Sequence, residues 1–250
     1  MKVQVISDIH LEERETIPDI KPNADILFLA GDIGVLGNNL FEKFIGYVDK
    51  NWSTVFYVLG NHELYSDNKC IEQLIKEYDE FFNNYDNIVF LDHDKCQIAG
   101  YKIIGCTFWG RFENEKHISG SPHKIKVENN GELQEIGPEI LTDLHSFSYA
   151  WVKANIHPVL PTIVLTHFPV TLENDKVRQI RYREEEIETL KEYGAEMNLS
   201  SDNKIICISG HTHFSHDFTR NGVRYISNQL GYKEEEEEDI CNYHDQIYIL

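Results

Sequence analysis

Thr54-Val55-Phe56-Tyr57-Val58-Leu59-Gly60-Asn61-His62-Glu63 is the stretch from which the architecture of this chain can be read. A run of aromatic and β-branched residues cut off by glycine reads as a buried strand entering a sharp turn. The turn delivers Asn61, His62 and Glu63 to the carboxyl end of the strand, the edge at which open α/β sheets hold their ligands. Taken alone, the stretch is equally a capped turn with a surface histidine. The same pattern, an apolar strand followed by side chains of the metal-ligating type, recurs along the chain.

Upstream, Lys2 to Ser7 reads as a first strand, with Asp8-Ile9-His10 directly after it. In extended backbone residues i and i+2 point to one side, so Asp8 and His10 are expected to converge. After the turn Pro22-Asn23-Ala24 comes a second apolar run, Asp25 to Ala30, ending in Gly31-Asp32-Ile33-Gly34. Asp32 there is either a site carboxylate or a helix cap. Leu40, Phe41, Phe44, Ile45 and Val48 form a helical stripe. Ser66 or Asp67 is expected to cap a second helix with Ile71, Leu74, Ile75, Tyr78, Phe81 and Phe82 on its buried face. Strand, helix, strand alternation points to parallel β-α-β units.

Downstream, Ile88 to Leu91, Cys96 to Ala99 and Tyr101 to Thr107 read as short strands of a second, more antiparallel sheet. A polar excursion over about 108–137 carries Arg111, Lys116, His117, His123, Lys124 and Lys126, a basic cluster in an acidic chain. A loop of that length in a compact domain reads as a lid or as a solvated insertion. Pro138 starts a helix that carries His145. Thr162 to Thr166 is a buried strand ending at His167, and Glu184 to Tyr193 a short acidic helix. Ile205 to Ser209 is a strand ending at Gly210-His211-Thr212-His213. Arg224 to Ser227 and Gln246 to Leu250 close the fold around the acidic run Glu234 to Asp239, which reads as a solvated, disordered loop. No repeat or linker divides the chain, so 1–250 is read as one domain with a lid or insertion at about 108–137.

The net charge of −19 over 250 residues repels phosphate backbones and argues against a large nucleic-acid footprint. It leaves room for a small phosphate ester, because bound cations reverse the field inside a pocket. No apolar run is long enough to span a bilayer. The opening apolar run ends at Ser7-Asp8, short of the roughly 7–15 residues of a secretory core. Five cysteines without a CxxC pair read as reduced thiols, and a cytoplasmic location is expected.

Asp8, His10, Asp32, Asn61, His167, His211 and His213 are oxygen and nitrogen donors that all follow buried strands. Carboxylates and imidazoles crowded together out of water are costly unless cations pair them, and two divalent metals would resolve the crowding. At these residues the sequence resembles the calcineurin-like metallophosphoesterases. Asp8-Ile9-His10, Gly31-Asp32, Gly60-Asn61-His62-Glu63, His167 and Gly210-His211-Thr212-His213 follow that family's five blocks in order, over nearly the whole chain.

The resemblance implies an α/β fold of two mixed β-sheets packed as a sandwich and flanked by helices. It implies a first metal on Asp8, His10 and His213, a second on Asn61, His167 and His211, and Asp32 bridging them. His62 would face the leaving group without ligating, and Glu63 would orient an imidazole or a loop. The implied reaction is in-line attack on a phosphate ester by a metal-bridging hydroxide. Mixed imidazole, carboxylate and amide donors suit Mn, Fe, Zn or Co.

Phosphoprotein phosphatases of this family carry an arginine before the Gly-Asn-His-Glu block and another after the Gly-Asp block. Val58-Leu59-Gly60 and Ile33-Gly34-Val35 have neither, which points away from phosphoproteins and towards small phosphomonoesters or phosphodiesters. Gly105-Cys106-Thr107-Phe108-Trp109, Leu141 to Trp151, Arg181-Tyr182-Arg183 and Asn228-Gln229-Leu230-Gly231-Tyr232 resemble a branch of small stand-alone phosphoesterases with a lid. Arg111, His117 and His145 are candidate phosphate contacts. The competing readings are a non-catalytic scaffold of the same fold and a nuclease of the same family.

Overall fold

The structure is a computed structural model describing residues 1–110, 124–171, 197–199, 204–237 and 241–250. Strands β1 (Lys2–Ile6), β2 (Ile26–Ala30) and β3 (Thr54–Val58) lie parallel and side by side. Helices α1 (Asn39–Asn51) and α2 (Ile71–Phe82) make the crossovers. After α2 the chain returns as β4 (Ile88–Phe90), parallel to β3. The sequence reading put this strand in the second sheet. It belongs to the first, because a helical crossover delivers the chain back beside the strand it left.

The second sheet runs in the order β11-β12-β10-β9-β6-β5. Its strands are β5 (Asp94–Ile98), β6 (Tyr101–Cys106), β9 (Thr162–Thr166), β10 (Ile205–Ile208), β11 (His216–Arg220) and β12 (Val223–Ser227). Here the expectation of a more antiparallel sheet is met only at the edges. The four inner strands are parallel, and only the edges β5 and β11 run the other way. β13 (Tyr248–Ile249) adds antiparallel to β1.

The two sheets bury their facing sides against each other. Val3, Val5, Phe28, Phe56 and Val58 from the first meet Ile103, Ile163, Leu165, Ile206 and Ile208 from the second. Alternation sends the remaining side chains outward, where Leu27, Leu29, Val55 and Tyr57 pack under Phe41, Phe44, Val48, Leu74, Tyr78 and Phe82 of α1 and α2. On the far side Leu141 and Val152 of α3 (Pro138–Asn155) are buried in the same layer of packing as Ile104 and Val164. Burying each such side chain contributes roughly 1.5–3 kcal/mol, so the sandwich frame is stiff where the strands end.

Local departures from expectation have local causes. The side chain of Asn38 caps α1, accepting from the amides of Leu40 (2.8 Å) and Phe41 (3.3 Å). α2 begins at Ile71 after Cys70, not after Ser66 or Asp67. Ser66 Oγ instead accepts from the amides of Asn68 (3.3 Å) and Lys69 (3.1 Å), forming a turn before the helix. Part of the polar excursion is ordered as a hairpin, β7 (Lys126–Asn129) and β8 (Glu132–Glu135), turning at Asn130-Gly131. The amide of Ser66 donates to the carbonyl of Lys124 (2.9 Å), tying the start of this hairpin to the loop after β3. The acidic run is not wholly a loop, since Lys233–Glu237 is a helical turn. Arg111, His117 and the acidic helix expected over 184–193 lie outside the described residues, as does Asp239.

Candidate metal centre

β1, β2 and β3 of one sheet and β9 and β10 of the other end at the same edge of the sandwich. Each is followed at once by one of the polar blocks. Asp8, His10, Asp32, His211 and His213 all have left-handed backbone, with φ of 53°, 51°, 51°, 70° and 50°. Such conformations cost of order 1–3 kcal/mol each and persist where the surroundings over-determine them. The convergence of Asp8 and His10 is therefore achieved by a turn, not by strand alternation. The turns also cross closely. A Cβ on Gly60 would meet the Asp32 amide nitrogen at 2.6 Å and strike its carboxylate, so only glycine lets the loops after β2 and β3 pass.

Asp8, His10 and His213 each bring a ligating atom within 4.8 Å of the other two, and so do Asp32, His167 and His211. In the first group His10 Nε2 lies 3.0 Å from His213 Nε2, and His213 Nε2 lies 3.6 Å from Asp8 Oδ1. In the second, His167 Nε2 lies 3.0 Å from Asn61 Oδ1, 3.2 Å from His211 Nδ1 and 3.4 Å from Asp32 Oδ2. Asp32 Oδ2 is also 4.0 Å from His10 Nε2, so one carboxylate oxygen stands between the groups. Its partner Oδ1 accepts from the His62 amide at 2.8 Å.

These spacings fit metal ions. Ligand bonds of about 2.0–2.2 Å put neighbouring donor atoms roughly 3–3.5 Å apart. The outer nitrogens reinforce the fit. His167 Nδ1 donates to the carbonyl of Ala30 (2.9 Å), His213 Nδ1 pairs with Glu235 (2.5 Å) and His10 Nδ1 with Glu12 (3.2 Å). Each leaves Nε2 facing inward, as a metal-ligating imidazole does. The Asn61 amide donates to the Tyr65 hydroxyl (2.5 Å), which aims its oxygen at the second group. Charge follows the same division. Burial disfavours the charged form of His167, but the Asp32 carboxylate outweighs it and pushes the imidazole up to about 9. Burial and the charge on His167 hold neighbouring His211 well below its usual range.

Glu63 orients a loop and not an imidazole. Its buried carboxylate accepts from the amides of Asp32 (2.9 Å), Ile33 (2.8 Å) and Gly60 (2.9 Å) and from the Tyr57 hydroxyl (2.7 Å). Burial and the Asp32 charge push this carboxyl up to about 7. Three of its partners can only donate, so the bonding pattern calls for the ionised form. Glu63→Gln is expected to weaken metal binding about 10–100-fold, the usual cost of disturbing a ligand's support. Its melting temperature should also fall, since a donor left without an acceptor costs about 1–3 kcal/mol. Titration with Mn²⁺ and thermal melting would read both, and wild-type affinity would overturn the assignment.

His62 joins His10 and Asp32 in a further group within 4.8 Å. Its Nδ1 is engaged by Glu12 at 2.8 Å. Burial opposes a charged imidazole at His62, but Asp32 and Glu12 prevail and raise its pKa. Glu12 itself, buried yet paired with His10 and His62, is held down at about 2. Glu12, Tyr65, Tyr232 and Glu235 are site residues that the sequence reading missed. Glu12 follows His10 at the same two-residue step that links Asp8 to His10, the one signal that could have flagged it. Glu235 is hidden in a run of glutamates. His145 is buried on α3, with Nδ1 2.8 Å from the carbonyl of Trp109.

The sequence pattern of the calcineurin-like phosphoesterase family matches residues 1–215. The chain belongs to that family. Metal-dependent phosphoester hydrolysis is accordingly its class of chemistry. The chain is similar to the uncharacterized protein L509 of Acanthamoeba polyphaga mimivirus, 28% identical over 272 aligned positions covering 99% of this chain and 95% of that protein. Its fold is similar to that of the phosphopantetheinyl hydrolase PptH from Mycobacterium tuberculosis, with a TM-score of 0.61 and 17% identity over 95% of this chain and 92% of the other.

Proposed function

We propose that the chain hydrolyses small phosphomonoesters or phosphodiesters at a dinuclear metal centre, with His62 as proton donor to the leaving group. The observation that carries this reading is Asp32 Oδ2, standing between two donor groups in which His10, His167 and His213 are each tied on the outer nitrogen. Asp8, His10 and His213 would hold one ion, Asn61, His167 and His211 the other, with Asp32 shared. Mn, Fe, Zn and Co all suit this donor set. When bound, such a pair supplies an activated water and neutralises charge on the phosphate oxygens during in-line displacement.

The protein's own groups do the rest. Glu12 accepts the hydrogen bond of His62 Nδ1–H and turns Nε2 towards the substrate side, where it can protonate the departing oxygen. Glu63 holds the loops after β2 and β3 in register. Small esters are favoured by what flanks the site. Arg14, the arginine near the centre among the described residues, is spent on the carbonyls of Ile9 (2.6 Å) and Gly231 (2.7 Å) and on Glu236 (2.6 Å). Lys124 stands over the Tyr65 ring at 5.4 Å, offering a cation beside the loop that carries Asn61 and His62. Arg111, His117 and His145 are further candidate substrate contacts.

Among the described residues no helix is long and apolar enough to cross a membrane. None of the five cysteines forms a disulfide, which is in keeping with a cytoplasmic location. Metal-reconstituted protein assayed on p-nitrophenyl phosphate and bis-p-nitrophenyl phosphate is expected to turn over at least one of them. Turnover of neither would sink the proposal.

A further inference from the structure

The family pattern ends at residue 215, but the wall of the metal centre continues beyond it. After β12 the chain folds back along the end of β1. Ser7 N–H donates to the Asn228 carbonyl (3.1 Å), Leu230 N–H to Ser7 (3.1 Å) and Gly231 N–H to Asp8 (2.8 Å). Arg14 fastens the same segment through the Gly231 carbonyl (2.7 Å). The Tyr232 amide donates to Glu235 (2.9 Å), the carboxylate that also holds His213. Tyr232 is thereby set over the centre. Its ring stacks on that of His10 at 4.3 Å with 24° between planes and meets His213 edge-on at 4.9 Å. Its hydroxyl stops 3.3 Å from His62 Nε2.

We propose that Tyr232 is a catalytic residue, its phenolic O–H hydrogen-bonding the same leaving oxygen that His62 Nε2 protonates. The inference rests on the reading of His62 as the proton donor. With Nδ1 given to Glu12, Nε2 is the only nitrogen of His62 that can meet a substrate, and the phenol oxygen already lies in its range. The two groups lie side by side 3.3 Å apart, so one substrate oxygen set against both can take the proton of Nε2 and the hydrogen bond of the phenol together. In the step, water oxygen bonds to phosphorus and the bond from phosphorus to the leaving oxygen breaks. The electron pair stays on the leaving oxygen, which takes the proton of Nε2, and the proton lost by water restores His62. Tyr232 keeps its proton and stabilises the charge as it develops. A hydrogen bond to a charged oxygen of this kind is worth about 10–100-fold in rate.

The test is Tyr232→Phe in the metal-loaded enzyme, on phenyl phosphates bearing a 4-nitro group, a 4-chloro group or no substituent, or on the matching diesters. The rate should fall least for the 4-nitro ester, whose leaving group needs least help, and about 10–100-fold for the unsubstituted one. On that ester Tyr232→Phe should cost at least as much in a His62→Asn background as in the wild type, because an oxygen that leaves unprotonated carries more of the charge the phenol stabilises. Tyr232→Leu, lacking ring and hydroxyl, should show the same leaving-group pattern, so a packing defect in one variant does not decide the outcome. Equal losses on all esters, no loss, or a loss that vanishes in the His62→Asn background would overturn the role of Tyr232 and leave the phosphoesterase reading standing. A wild-type enzyme inactive on every ester would overturn both.

Discussion

Asp32→Ala is expected to leave a folded protein that no longer retains metal firmly and has lost at least about 10³-fold in turnover. The size follows from what one carboxylate does. Its Oδ2 stands 3.4 Å from His167 Nε2 and 4.0 Å from His10 Nε2, serving both donor groups, while Oδ1 fixes the amide of His62 at 2.8 Å. Charge stabilisation by a bound metal is worth several kcal/mol in the transition state, and each 1.36 kcal/mol is about tenfold in rate. Asp32→Asn separates the two duties. It keeps an oxygen for the His62 amide but lacks the charge, so it should preserve the loop and still lose metal. Metal content after dialysis, together with p-nitrophenyl phosphate turnover, checks the prediction. Undiminished turnover in Asp32→Ala would contradict the placement of the site itself.

His62→Asn is expected to lower kcat by about 10²–10⁴-fold, the usual share of a general acid, with metal content unchanged. His62 lies close enough to His10 and Asp32 to be mistaken for a ligand, and this variant decides between the two roles. As a ligand its loss would empty the site. As the acid its loss should spare metal binding and fall most heavily on esters with poor leaving groups. Geometry favours the acid. Glu12 Oε1 holds Nδ1 at 2.8 Å, and Nε2 faces the Tyr232 hydroxyl at 3.3 Å and not a carboxylate. A variant that loses its metals would contradict this assignment.

Much of this was legible in the sequence, for identifiable reasons. β1, β2, β3, β9 and β10 are buried on both faces, so each is a short apolar run that a Gly, Asp or His block cuts off. That punctuation displays the strand ends and the donor residues together. β11 was not legible because it is an edge strand of alternating exposure, in which Phe218 is the only apolar residue of His216–Arg220. Two hairpins carry an Asn-Gly signal that the sequence reading did not use. Asn130-Gly131 and Asn221-Gly222 all take positive φ, the conformation that a tight two-residue β-turn needs. Glu235 escaped because it sits in a run of glutamates, and Glu12 and Tyr232 because the step after His10 and the stretch Asn228 to Tyr232 gave no role to a single side chain. Tyr232 and Glu235 reach the site through the back-folding of the segment after β12, which brings Tyr232 onto His10 across more than 200 residues, and Glu12 through its contact with His62 on the loop after β3.

Each donor group draws on both halves of the sandwich. Asp8 and His10 hang from one sheet and His213 from the other; Asp32 and Asn61 hang from one, His167 and His211 from the other. The centre is therefore a gauge of how the sheets are seated. If one slid past the other by even an ångström, no group would keep its spacing, although every strand would remain intact. The apolar layer between the sheets thus has a second duty. Val5, Phe28 and Val58, which touch no metal or substrate, set the tolerance to which the chemistry is machined.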